Sequence, residues 1–165
     1  MSLDEIARGT RVFLDAPIFL NHFTGISREC RGLLERCERS EVRGVTSALV
    51  VAEVAQRLFL LEAVAEGLMA AGESARHLRE RPEALQKLNL HEEAAAKIPL
   101  MGVEVRPLDL RVLLGKGPLR RRTGLLPRAA LLAAAVREAG LEALATTDAD
   151  LERAEGLKVY RPSDV

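Results

Sequence analysis

Apolar positions along this chain fall into two alternating rhythms. Short runs with buried-strand character recur at 10–15 (TRVFLD), 43–47 (RGVTS), 103–109 (VEVRPLD), 141–147 (LEALATT) and 157–162 (LKVYRP). Each is bounded by glycine, proline or a polar cluster, as strands are. Between them, apolar side chains recur three and four apart. Residues Ile26 to Arg39 set Cys30, Leu33, Leu34 and Cys37 on one stripe with arginines and glutamates opposite, the pattern of an amphipathic helix. Ser47 is placed to cap a long helix over Ala48 to Glu66. The middle, from Leu68 to Ile98, is helical by composition, with Gly72 and Pro82 as breaks and Pro82 suited to the first position of its own helix. Gly115 to Gly124, rich in Gly, Pro and Arg, reads as a loop. Pro127 then opens, and Gly140 closes, an Ala/Leu-rich helix. Strands alternating with helices predict an α/β fold: one domain over 1–165, with a mainly parallel sheet of about five short strands and helices on both faces. The proline in LKVYRP places that strand at an edge.

Composition changes this picture little. Hydrophobic residues make up 48% and charged residues 29% of the 165, an ordinary globular balance. No apolar run approaches the ~18 residues of a membrane span, and MSLDEIARGTR has no apolar signal core. A cytoplasmic location is the expectation. Cys30 and Cys37, seven apart on a helix, sit ~10 Å apart along its axis, too far to bridge, and read as reduced thiols. His22, His77 and His91 lack metal-ligand spacing, and HEE at 91–93 reads as a solvated helix face. Lys plus Arg and Asp plus Glu balance at 24 each, which excludes a uniformly basic nucleic-acid binder. The distribution is uneven, however: Lys116, Arg120, Arg121, Arg122 and Arg128 follow one another with no intervening acid. Such a run is either a solvated segment or an anion-contact surface. Aromatics, at 3%, are too few for a base-stacking platform.

The acids carry the candidate chemistry. In open α/β sheets, ligands bind outside the carboxyl ends of the strands. Asp15 ends the first strand and Asp148 the fourth, with Asp150 close by. Glu53 is the only charge between Val45 and Ala55, two turns into the helix after the second strand. Each has a plain structural role open to it: Asp15 as a helix cap, Glu53 in an i,i+4 pair with Arg57, and Asp148 and Asp150 as turn residues. Taken together, three acids at one sheet edge repel unless a cation lies between them. All-oxygen ligation suits Mg2+ or Mn2+, and such a site can activate water against a phosphodiester.

Three stretches resemble the PIN domain family, of the kind found in VapC-type toxins. RVFLDAPIFLNHF resembles its opening strand, acid and helix. VTSALVVAEVAQRL resembles its second motif, and GLLPRAALLAAAVREAGLEALATTDADLERAEGLKVYRP its closing segment. The resemblance implies a PIN-like fold and a Mg2+- or Mn2+-dependent endoribonuclease. Asp15, Glu53 and Asp148 are its catalytic acids by position, and Asp150 joins them as a metal ligand. Ser47 and Thr147 become candidates for orienting those groups, and Lys116, Arg120, Arg121, Arg122 and Arg128 for contacting RNA phosphates. An antitoxin protein and a second copy of the chain are the implied partners. Two positions depart from the family pattern. Ala129 stands where an acid usually opens the closing helix, and Pro17 where an Asn usually follows the first acid. Neither supplies a ligand or a side-chain amide. The alternative expectation is therefore a catalytically inactive PIN fold serving as a binding or dimerisation module.

Overall fold

The structure, a computed structural model, describes residues 1–165, except for the side chain of His77, so the reading of that histidine lies outside the described residues. Five strands form the sheet: β1 (Arg11–Leu14), β2 (Arg43–Ser47), β3 (Val103–Arg106), β4 (Ala143–Ala145) and β5 (Lys158–Tyr160). The helices are α1 (Ala16–Phe23), α2 (Arg28–Glu38), α3 (Ala48–Ala65), α4 (Pro82–Leu85), α5 (Leu90–Lys97), α6 (Leu110–Thr123) and α7 (Pro127–Glu138). The sheet order is β3-β2-β1-β4-β5, and every pairing is parallel. β5 lies at an edge as expected, although Pro162 falls two residues past its end.

The order has a consequence for the site. From β1 the chain crosses to β2 and then β3 on one side, and from β3 it returns to β4 on the other side of β1. Right-handed crossovers running in opposite directions place their helices on opposite faces. The connections diverge between β1 and β4, where a crevice opens at the strands' carboxyl ends. The main core fills both sides of these strands with Phe13, Leu14, Ile18, Phe19, Leu34 and Leu144, all at most 2% exposed. Cys30 and Cys37 are buried free thiols within it, and burial pushes the Cys37 thiol up to about 11.

Two expectations are corrected. Of the segment 115–124, residues 115–123 are not a loop but most of α6. Asp109 caps that helix by accepting from the Arg111 N–H at 2.8 Å, Gly124 ends it at φ 68°, and Val112 and Leu119 are buried in its packing against α7. Pro118 costs one helix hydrogen bond, but its ring faces solvent and tertiary packing overrides the local preference. HEE at 91–93 is likewise not a simple solvated face. The His91 side chain is 14% exposed, and its Nδ1 lies 2.8 Å from Glu62 Oε2. Glu62, on α3, also accepts from the backbone N–H groups of Asn89, Leu90 and His91 at 2.9, 3.1 and 3.2 Å. It thus serves α5 as an N-terminal cap from another helix. Beneath this joint, Ala63, Met69, Leu78 and Leu88 form a second, smaller core.

Candidate functional site

Asp15 follows β1 directly, and its backbone N–H continues the ladder to Ala145 O at 3.0 Å. That register carries the side chain into the crevice with none of its surface exposed. A carboxylate so placed must find partners or lose its charge. Oδ1 accepts from the Ala16 N–H at 2.7 Å, the helix-cap role, and from Arg128 Nη2 at 2.8 Å. Oδ2 accepts from the Thr146 hydroxyl at 2.7 Å. Thr146, just past β4, is wholly buried, and its hydroxyl oxygen accepts from the Asp148 N–H at 3.1 Å. Both carboxylate oxygens are therefore satisfied within the chain.

Arg128 reaches the crevice from the first turn of α7. Its Nε donates to Glu53 Oε2 at 2.8 Å, and its Nη2 lies 2.6 Å from that oxygen. One guanidinium thus joins the two acids delivered by β1 and α3. Burial works against the charge on Arg128, but the attraction of Asp15, with the bonds to Glu53 and Asp15 and the Glu53 charge, outweighs it and raises its pKa. The side chain stays 43% exposed, so its outer edge meets solvent. Glu53, 25% exposed, also has Arg57 Nη1 3.9 Å from its other oxygen, the i,i+4 contact expected on α3.

The remaining sequence-predicted residues lie around this bridge rather than within it. Asp148 caps a 3-10 turn at Ala149–Arg153, its Oδ1 accepting from the Asp150 N–H at 2.9 Å. Asp150 pairs with Arg153 at 2.9 Å. Ser47 caps α3, accepting from the Val50 N–H at 3.4 Å. Among the described residues Thr147 makes no hydrogen bond to Asp15; the threonine that donates to that carboxylate is its neighbour Thr146, and adjacent identical residues gave no signal to choose between them. Thr46 on β2 is a further buried hydroxyl that sequence reasoning passed over, donating to Leu14 O at 2.8 Å. Arg120, Arg121 and Arg122 are exposed on the last turn of α6, where positive charge complements the helix's carbonyl end. Among the described residues none of the three pairs with an acid. Lys116 Nζ donates to Leu113 O at 2.9 Å. Only Gly124, Leu125 and Leu126 separate the arginine turn from α7, so it stands at the Arg128 end of the sheet.

The donors do not fit a carboxylate-held divalent cation. Among the described residues, no group of three or more His, Cys, Asp or Glu side chains is placed to hold a metal ion. Arg128 stands between Asp15 and Glu53, Asp148 and Asp150 are turned to their own segment, and Ala129, 4% exposed, brings no oxygen. Pro17 is the second residue of α1. Among the described residues, no helix is long and apolar enough to cross a membrane.

The PIN domain family model matches residues 12–157. The fold is similar to that of VapBC2 from Rickettsia felis, solved bound to a DNA fragment from its promoter. That likeness has a TM-score of 0.58 at 14% identity, over 92% of this chain and 98% of that one. A toxin-antitoxin complex from Klebsiella pneumoniae gives 0.56 at 18% identity, over 89% and 95%. A protein from Pyrobaculum aerophilum gives 0.52 at 14%, over 91% and 89%. At these identities the likeness is one of fold. No curated protein matches the sequence significantly.

Proposed function

Since this chain belongs to the PIN domain family, we propose that it is an RNA-binding PIN protein that does not hydrolyse its RNA, its acidic pair being held by Arg128 in place of a metal ion. The observation that carries this reading is the guanidinium in contact with both Asp15 and Glu53, 2.8 and 2.6 Å away, next to an alanine in the usual acid position. A buried carboxylate with every oxygen satisfied by protein groups offers little to an incoming cation. The exposed arginines at the end of α6 supply the electrostatic surface for a phosphate backbone. The toxin-antitoxin neighbours support an antitoxin-like protein as a further partner.

A second reading keeps the metal-dependent endoribonuclease. It is favoured by the 43% exposure of Arg128, which leaves a path out of the crevice, and by the two carboxylates it would uncover. Mg2+ is often held by only one or two carboxylates together with substrate phosphates. Cleavage of a structured RNA in Mn2+, comparing the wild type with Asp15→Ala, separates the two. The expected result is binding without Mn2+-dependent cleavage in either protein. Cleavage by the wild type that Asp15→Ala abolishes would overturn the proposal in favour of the nuclease.

A further inference from the structure

Beside the Asp15–Arg128–Glu53 bridge lies a pocket of about 340 Å3 that neither reading has used. Its walls come from four separate parts of the fold: Pro17 and Asn21 of α1, Arg57 of α3, Thr147 after β4 and Arg161 after β5. Among the described residues no acidic side chain lines it. The two arginines are loosely engaged: Arg57 is 3.9 Å from Glu53 and Arg161 is 3.8 Å from Glu152, both beyond hydrogen-bond distance. Among the described residues neither guanidinium makes a hydrogen bond, so the planar donor forks of both remain available. Val165 also borders the pocket. An amide at Asn21 and a hydroxyl at Thr147 add neutral donors. Two guanidinium forks that make no hydrogen bond of their own, with amide and hydroxyl groups around one cavity, match the oxygens of a phosphate, which takes bidentate arginine contacts.

We propose that this pocket is a phosphate subsite, in which Arg57 and Arg161 grip one phosphate of a bound RNA strand while Asn21 and Thr147 complete its hydrogen bonds. The inference rests on the RNA-binding reading for its ligand, but the pocket itself can be probed with a small anion. Arg57 shares Glu53 with Arg128, so a phosphate seated here lies one side chain away from the bridge. RNA would then run from the α6 arginines across the sheet edge into this pocket.

Two measurements test it. In the first, a fluorescein-labelled single-stranded oligoribonucleotide is titrated with the wild type and with the Arg57→Gln/Arg161→Gln double variant over a range of salt. The variant is expected to bind about 10-fold more weakly, with a salt slope smaller by about 1 to 2. In the second, arginine Nε–H resonances are followed by NMR as pyrophosphate is added, and those of Arg57 and Arg161 are expected to move together. Unchanged RNA affinity in the variant overturns the subsite and leaves the RNA reading standing. Weakened affinity with no arginine response to pyrophosphate overturns it as well, since general charge rather than the pocket then carries the binding. If the wild type binds no RNA but pyrophosphate shifts both arginines, the RNA reading falls and the phosphate pocket survives. If neither RNA nor pyrophosphate is bound, both fall.

Discussion

Two carboxylates among the described residues are nearly or fully buried, and they are satisfied in opposite ways. Glu62, 9% exposed on α3, is held by three backbone N–H groups and the His91 ring, all from the start of α5. Asp15, with no exposed surface, is held by one backbone N–H, one buried hydroxyl and a guanidinium arriving from 113 residues away. Backbone donors cannot leave without unravelling the start of α5, so Glu62 is fixed as long as that helix exists. The Arg128 side chain is half in solvent and ends on rotatable bonds, so the Asp15 arrangement has one removable member. A buried acid is thus no sign of a metal in itself. What distinguishes a structural from a functional seat is whether its counter-charge can be exchanged for something from outside.

The largest expected effect tests what Asp15 is for. Were it kept as one of several acids awaiting a cation, its removal would relieve like-charge repulsion and stabilise the metal-free protein. With Arg128 and Thr146 already bonded to it, Asp15→Ala instead strands a guanidinium, a buried hydroxyl and the Ala16 N–H. The expected outcome in urea denaturation is a loss of about 3 kcal/mol, or a Tm lower by about 10 °C. A variant as stable as the wild type or more so would break the comparison, and would return Asp15 to the class of acids held in readiness for a metal.

Glu62 should respond to substitution less strongly, and to pH in a defined direction. Burial alone would raise its pKa, but the His91 ring and the three backbone donors outweigh that and lower it. A carboxylate with a lowered folded-state pKa contributes stability above its ordinary value of 4.5, and that contribution is lost as pH falls through the lowered one. At neutral pH, Glu62→Gln is expected to cost about 2 kcal/mol, since a neutral amide accepts more weakly than a carboxylate. Urea midpoints taken downward from pH 7 should show the gap between wild type and variant closing below pH 4.5. A gap that stays constant into acid would mean that shape, not charge, makes this joint.

Most of the fold was legible because its signals are local. The five strand runs, the Ser47 cap and the Pro127–Gly140 punctuation each depend on residues within a few positions of one another, and the parallel order followed from their alternation with helices. The failures are the non-local features. Gly115, Gly117 and Pro118 spell a loop locally, and only burial of Val112 and Leu119 against α7 makes the segment helical. His91 looked solvated because its partner Glu62 lies 29 residues away. In the site, the acids were readable from strand ends, and Ala129 and Pro17 from their neighbours. That Arg128 turns inward to the acids rather than outward to phosphate was not, because no pattern along the chain joins residues 15, 53 and 128.

The smallest expected effect sharpens the comparison within a single carboxylate. Glu53 receives two arginines, Arg128 at 2.6 Å and Arg57 at 3.9 Å. Arg57 is 54% exposed and one turn away on the same helix, the setting in which an ion pair contributes least. Arg57→Gln should therefore change the unfolding free energy by less than about 0.5 kcal/mol, while weakening retention of RNA if the pocket it borders holds a phosphate. Chemical denaturation and RNA titration on one preparation check both halves. A stability loss above 1 kcal/mol would make Arg57 a structural partner of Glu53, and Glu53 would then join Glu62 among the acids fixed from within. With stability unchanged, any loss of binding belongs to the open side of the site, where Arg57 makes no hydrogen bond while Arg128 commits its Nε and Nη2 to the two acids.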